Sequence, residues 1–375
     1  MVQSSGGLAP RSVERVDDTF VVRVGEQEEF FVSTPLVLDE AHAEKSFAIH
    51  RFARKDLSEN SVRQVLVRSG KGRTRIGWLI PANALGSVDH DESGNEYFLK
   101  YAYMTIQLAL REIDLEVLRL KAADAGAAVN IADLFDDNIA FLTISEETLG
   151  SLAPFDISQI VPALVRFGFV PERYYEPGQL EWSGPDTPLG HFVLERQSSA
   201  VASPEMVSRL ISLAVTSSSS PITQFFYSYQ VFEYLMELVL AERLSKVAKE
   251  ISVELSKEGQ GFFGVRDALN DLSEEMNEKK RLNRLVTDYS QGYSLDELEF
   301  ASNELLVKSG QAPKQGIAAM YSVRNLVFHR ARDVPDEAMQ ILVRLVRAML
   351  DLFPELLASF EPPAALQPGG TITTG

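Results

Sequence analysis

The sequence predicts an α+β protein, with an amino-terminal mixed domain built on an antiparallel sheet and an all-α helical bundle after it. Three observations carry this reading. Short runs rich in Val, Phe and Ile, separated by turn residues, occupy residues 19–81, whereas patterns near a 3.6-residue period run from Ile222 to Phe360. Between the two regions, Thr216-Ser217-Ser218-Ser219-Ser220-Pro221 supplies residues that favour caps and turns.

Taken in order, residues 1–16 read as a flexible amino terminus. Strands are expected at Thr19–Val24, Glu29–Ser33, Ser46–Phe52, Val62–Arg68 and Arg75–Pro81. One long helix is expected from Tyr97 to about Ala125, with Leu108, Ile113 or Leu115, Leu118 and Leu120 near helical spacing and Gly126 at its end. A strand at 139–144, a helix at 158–167, a Pro/Gly-rich stretch at 176–188, a strand at 192–196 and a helix at 204–215 complete the first domain, 17–215. Residues 216–221 are the expected linker. The bundle, 222–360, holds helices at 222–257, 264–289, 294–308, 314–330 and 335–360. Residues 361–375, rich in Pro, Gly and Thr, are expected to be a disordered tail.

A chain of 375 residues, 45% hydrophobic and 24% charged, has enough apolar material for two domains. It contains no cysteine, which removes disulfides, thiolate metal sites and cysteine nucleophiles and suits a reducing cytoplasm. Residues 1–16 lack the apolar core of a signal peptide, and no stretch approaches a membrane span, so neither secretion nor a membrane partner is expected. Acidic residues outnumber basic ones 53 to 36, and a net charge of -17 repels nucleic acid unless the basic residues are gathered somewhere.

Several motifs fail on context. Gly259-Gln260-Gly261-Phe262-Phe263-Gly264 has dinucleotide-fingerprint spacing but follows a helix, not a strand, and reads as a helix connection. Asp89 to Gly94 begins like a calcium loop, yet its twelfth position is Lys100, so it reads as a hairpin turn. Ser69-Gly70-Lys71-Gly72 lacks the upstream glycine and following Ser/Thr of a phosphate loop. The five histidines, His42, His50, His90, His191 and His329, never recur at ligand spacing, and no G-x-S-x-G elbow is present. No metal and no cofactor is expected.

One constellation survives. Tyr321 to Arg332 carries Arg324, the adjacent Asn325, and His329 five residues after the arginine, on a helix anchored by Ile317, Met320, Tyr321, Val327 and Phe328. Histidine titrates near neutrality and serves as general base or acid, and arginine presents a planar fork that stays charged beside a phosphate oxyanion. RNA cleavage needs little more, because the substrate supplies its own 2′-hydroxyl. Asn325 lies one turn below His329 on the same face, placed to orient the imidazole or the phosphate. The spacing has a difficulty: five helical residues turn through about 500°, leaving Arg324 and His329 roughly 140° apart. Arginine's length, a distorted helix end, or a second copy packed about a two-fold axis would each resolve it.

These residues resemble the signature of the HEPN superfamily, an Arg, often followed by a polar residue such as Asn, with four to six residues before a His. The stretch Phe225-Phe226-Tyr227-Ser228-Tyr229-Gln230-Val231-Phe232-Glu233-Tyr234-Leu235 is similar to the aromatic-rich Tyr-Gln-x-x-Glu opening of several defence-associated HEPN groups. The resemblance covers about residues 221–360. It implies a HEPN-like bundle acting as a metal-independent endoribonuclease in phage defence or a toxin-like stress response, with a composite site in a homodimer. The alternative is a non-catalytic HEPN-like bundle that dimerises and binds a nucleotide or protein, with Arg324 and His329 kept for structure.

Around the motif, Glu233 and Glu237 share a face of the first bundle helix with Gln230, and Glu233 or Gln230 is expected to hold Arg324 or His329 in place, unless the stripe simply meets water or a dimer partner. Arg330, Arg332, Arg344 and Arg347 are the expected contacts for an RNA backbone, in a chain whose two parts, 1–220 with 20 basic and 31 acidic residues and 221–375 with 16 and 22, are both acidic. Such a surface favours a confined site over non-specific RNA coating. In the first domain, His50-Arg51-Phe52-Ala53-Arg54-Lys55 and Arg68 to Arg75, followed by Trp78, are either exposed strand faces or a place for a nucleotide or partner. That domain is expected to sense an unidentified ligand or to recruit substrate. Its ligand, the RNA target and the cleavage preference are not written in the sequence.

Overall fold

The Val-, Phe- and Ile-rich runs pair into two sheets, as seen in a computed structural model that describes residues 11–26, 28–38, 46–69, 72–150, 152–178, 180–185, 190–217, 220–256, 261–290 and 293–360. The chain divides into two compact units, Met1–Phe155 with Phe167–Leu194, and Asp156–Arg166 with Glu195–Gly375. The architecture is α+β, with mainly antiparallel sheets in the first unit and helices in the second.

The strands of the first unit are β1 (Arg11–Val16), β2 (Thr19–Val24), β3 (Glu28–Ser33), β4 (Phe47–Ala53), β5 (Arg63–Ser69), β6 (Gly72–Pro81), β7 (Val129–Asn130), β8 (Ile139–Ser145), β9 (Val170–Pro171) and β10 (His191–Leu194). One sheet runs β1-β2-β3-β7 and the other β10-β5-β6-β8-β4-β9, antiparallel except where β7 joins β3 and β10 joins β5. Part of the expected flexible amino terminus is therefore a strand. Val13 is buried, and Arg11 donates from Nη1 to the carbonyls of Leu110 at 3.1 Å and Ile113 at 2.7 Å, which ties β1 down. Gly77 is obligatory: a Cβ there would run into the Thr143 carbonyl where β6 pairs with β8.

Helices α1 (Ala82–Leu85), α2 (Glu96–Glu112), α3 (Leu115–Ala125) and α4 (Glu146–Gly150) complete this unit. The single helix expected from Tyr97 is two. Ile113 leaves the helical backbone with ψ 147, and Asp114 caps α3 by accepting the Glu116 N–H at 2.8 Å. Asp89 to Gly94 is not a hairpin turn; it leads into α2, whose cap is Asn95, and His90 is buried with Nε2 3.1 Å from the Ala84 carbonyl. The segments Gly259-Gln260 and Gly70-Lys71, and the tail at 361–375, lie outside the described residues.

The second unit contains α5 (Val161–Arg166), α6 (Pro204–Thr216), α7 (Pro221–Leu255), α8 (Gly261–Glu275), α9 (Glu278–Tyr289), α10 (Asp296–Lys308), α11 (Ile317–Arg330) and α12 (Met339–Ser359). It begins earlier than the expected linker at 216–221. Helix α6 buries Val207, Ile211, Ala214 and Val215 and packs along α7, and the Ser203 N–H donates to the Tyr234 hydroxyl at 3.1 Å. Within this unit, Ser220 caps α7 by accepting the Thr223 N–H at 3.2 Å and Pro221 opens the helix, while Ser218 and Ser219 lie outside the described residues. The helix expected over 264–289 is also two, because Asn277 caps α9 through the Lys280 N–H at 3.3 Å. Along α7, Phe225, Tyr229, Phe232, Met236 and Val239 form a buried stripe, with Phe232 packed on Phe353 of α12 at 5.0 Å between ring centroids. Among the described residues no helix is long and apolar enough to cross a membrane.

Replacing Gly77 by Ala should lower the unfolding free energy by about 1–3 kcal/mol, because backbone rather than a flexible side chain must give way. Denaturant melts of the two proteins followed by circular dichroism check this, and equal midpoints would contradict the close approach.

Candidate functional site

The polar groups of α7 fall at Tyr229, Glu233 and Glu237, a four-residue spacing that puts them on one face of the helix. That face meets α9 and α11. The Tyr229 hydroxyl donates to Glu278 Oε1 at 3.2 Å, Arg324 donates from Nη2 to Glu233 Oε1 at 3.4 Å, and Arg281 donates from Nη1 to Glu237 Oε1 at 2.8 Å. Arg324 Nη2 also lies 3.5 Å from Glu278 Oε1. Three helices therefore converge on one guanidinium.

The arginine is stacked as well as paired. Its Cζ lies 5.0 Å from the Phe328 ring centroid and 5.7 Å from that of Tyr229, and its side chain is 17% exposed. Such enclosure places the Nη2 edge among the carboxylates. The Nη1 edge turns the other way, donating to Asn325 Oδ1 at 3.1 Å and approaching His329 Nε2 to 3.5 Å. His329 is exposed in the last turn of α11, which stays α-helical to Arg330. The length of arginine thus spans the angular gap between the two positions, and no helix distortion is needed.

Glu233 reaches Arg324, whereas Gln230 makes no hydrogen bond to Arg324 or His329. Sequence reasoning missed Glu278, Tyr229 as a hydrogen-bonding group, and Phe328 as a stacking face. Tyr229 lies one turn before Glu233, and Glu278 directly follows the cap Asn277, but only the tertiary packing of α9 joins them to the motif. Burial, reinforced by the negative charge of Glu278, raises the Tyr229 pKa well above the ordinary tyrosine value. Burial and a hydrogen bond to Glu242 do the same for Tyr289.

Each of the four arginines expected to contact RNA lies beside a carboxylate. Arg330 donates from Nε to Asp333 Oδ2 at 2.6 Å, and Arg332 is fully exposed at 3.9 Å from the same carboxylate. Arg344 turns to α10, pairing with Glu297 at 3.0 Å and Glu304 at 3.1 Å, and Arg347 lines a separate hollow with Asp351. In the first unit, Phe52 and Trp78 are buried core residues, Arg51 lies 3.5 Å from Glu172, Arg54 stacks on Phe169 at 5.2 Å, and Arg75 lies over the exposed Tyr97 ring at 5.7 Å. Among the described residues no group of three or more His, Asp or Glu side chains is placed to hold a metal ion.

Comparison with protein-family models, curated proteins and solved structures finds no match to this chain.

Arg324→Ala should cost about 1–3 kcal/mol of stability, since it leaves the Glu233 and Glu278 carboxylates and the Tyr229 hydroxyl without their cation, and Arg324→Lys should recover only part of it. Thermal unfolding of the three proteins measures the ranking. The raised Tyr229 and Tyr289 values predict full stability below the ordinary tyrosine pKa of about 10 and a loss as pH climbs above it, because the unfolded chain releases those protons first. Tyr229→Phe should flatten that alkaline loss; an unchanged pH profile would contradict the burial of this phenol.

Proposed function

We propose that the helical unit is a HEPN-like, metal-independent endoribonuclease whose reacting groups are His329, Arg324 and Asn325. The supporting observation is the convergence of Arg324 Nη1, Asn325 Oδ1 and His329 Nε2 at the exposed end of α11, with Arg324 Nη1 within 3.5 Å of both. A proton acceptor and a permanent cation then face the same solvent-accessible point, as phosphoryl transfer to an internal hydroxyl requires.

In this reading His329 takes the 2′-hydroxyl proton as the 2′-oxygen forms its bond to phosphorus. The phosphorus–O5′ bond breaks, leaving a 2′,3′-cyclic phosphate, and the departing 5′-oxygen takes a proton from the same histidine of a second copy in the imidazolium form. Arg324 stabilises the charge gathering on the non-bridging oxygens, and Asn325 orients it. Glu233 and Glu278 are positioning residues that hold the guanidinium from behind. A homodimer is supported by the surface beside the motif, where Phe226 is 40% exposed and stacks on Phe328 at 5.2 Å. A role in bacterial defence and a cytoplasmic setting come from the family resemblance and the cysteine-free composition.

A second reading is favoured by the pairing of Arg324 with two carboxylates, which neutralises much of its charge: a non-catalytic bundle that dimerises and binds a nucleotide or protein partner. Incubation of the purified chain with mixed RNA in excess EDTA separates the two. Cleavage by wild type that falls about 10²–10⁴-fold in His329→Ala, with unchanged thermal unfolding, supports the nuclease. An inert wild type, together with an Arg324→Ala variant that is merely less stable, supports the binding module.

A further inference from the structure

Residues 60–88 hold Arg63, Arg68, Lys71, Arg73 and Arg75 and no acidic residue, in a chain that has 53 of them. The run forms β5 and β6, which pair antiparallel and set Arg68 directly opposite Arg73. Side chains opposite each other share one face of a sheet, and like charges in that position repel. Arg75, two residues beyond Arg73, falls on the same face. All three arginines are exposed, whereas Val67 beside Arg68 and Ile76 beside Arg75 turn inward and are buried. The hairpin thus gathers positive charge on its outer face, with a repulsion that a bound polyanion would relieve.

Helix α2 adds an aromatic ring to these cations. Tyr97 is 60% exposed, and Arg75 Cζ lies 5.7 Å and Lys100 Nζ 5.8 Å from its ring centroid. Its neighbours fix its place: Asn95 accepts the Tyr97 N–H at 3.0 Å, and Phe98 is buried edge-to-face against Trp78 of β6 at 5.8 Å. Trp78, the ring that the sequence offered beside the Arg68 to Arg75 run, is therefore the anchor, and Tyr97 is the ring that solvent reaches. Carboxylates of the loop before α2 are engaged elsewhere, since Glu92 accepts from Asn95 Nδ2 at 2.6 Å and acts with Asp91 on Arg63, at the far end of β5 from Arg68. Glu96 remains exposed beside Tyr97 and tempers the positive field.

We propose that the outer face of the β5–β6 hairpin, together with Tyr97, binds single-stranded RNA without regard to base sequence. Arg73 and Arg75 contact phosphates, and the Tyr97 ring stacks a base. A ring set among cations matches a strand in which bases and phosphates alternate. An acidic peptide supplies the charge without the flat π face, and a duplex keeps its bases stacked on one another. The surface lies wholly within the first unit, so it gives that unit the recruiting role expected of it. The inference rests on the nuclease reading only for naming RNA rather than DNA, and on the hairpin and Tyr97 alone for the binding surface.

The test is equilibrium binding of a fluorescent 2′-O-methylated oligouridine, which cannot be cleaved through its 2′-oxygen, to the full chain across a salt series. Arg73→Ala/Arg75→Ala should weaken binding about tenfold at moderate salt and reduce the slope of log affinity against log salt by about 1.4, roughly 0.7 for each lost phosphate contact. Arg73→Lys/Arg75→Lys, which keeps both charges, should restore the slope. Tyr97→Ala should weaken binding about tenfold and leave the slope unchanged, because stacking releases no counterions. Wild-type affinity and slope in the double alanine variant, or no binding by wild type, would overturn the proposal. Wild-type binding by Tyr97→Ala, or displacement by polyglutamate as readily as by unlabelled RNA, replaces RNA with an acidic protein partner. Tighter binding of an oligodeoxythymidine of the same length replaces it with DNA. Arginine-dependent binding by a protein that never cleaves RNA in EDTA removes the nuclease reading and leaves the surface; cleavage with arginine-independent binding removes the surface alone.

Discussion

Three helices of the second unit are held in register by one guanidinium. Arg324 on α11 faces Glu233 of α7 at 3.4 Å and Glu278 of α9 at 3.5 Å, while the Tyr229 and Phe328 rings close over it. Hydrophobic stripes alone leave helices free to rotate or slide by small amounts, since one apolar contact resembles the next. A largely enclosed charge does not, because the carboxylates are satisfied in one arrangement only. The neighbouring Arg281–Glu237 pair, 2.8 Å apart, repeats the constraint one turn along α7. The ends of α9 and α11 that flank the proposed site are set by these contacts.

Charge sorting follows from the same constraint. The cations of α9 and α11 that look inward, Arg281 and Arg324, are matched by carboxylates, and Arg344 is matched by Glu297 and Glu304 on α10. An exposed cation such as Arg344 adds little stability when paired and little attraction for a distant anion. Glu278, between Asn277 and Lys279, is turned to Tyr229 and Arg324.

How much of this was legible in the sequence depended on the range of the interaction. Helical periodicity marked α7, α10, α11 and α12, and β-rich runs marked β2 to β6, since both signals are local. The breaks at Asp114 and Asn277 were not read, because one capping side chain outweighs a periodic pattern that continues on both sides. Strand β1 escaped because its apolar content is low and its place is set by pairing with β2. The serine cluster reads as a domain boundary, yet Ser220 caps α7 and the apolar face of α6 belongs to the same unit. In the site, the spacing of Arg324, Asn325 and His329 and the stripe at Glu233 could be read from one helix at a time. The part supplied by Glu278 could not, because it depends on how α9 is rotated against its neighbours.

The two edges of Arg324 couple the stability of the bundle to the proposed reactivity. Its Nη2 edge meets the half-buried carboxylates of Glu233 and Glu278, and its Nη1 edge, fixed in the same plane, meets Asn325 and His329 at the surface. A lysine ammonium reaches one of these environments at a time, having neither the planar spread nor the two directed edges. An arginine kept only for the bundle would need no exposed imidazole beside it, and one kept only for phosphate would need no carboxylates behind it. Holding a cation from the interior while offering its outer edge to solvent is what the proposed nuclease would need of an anion stabiliser, whose orientation is then set by folding.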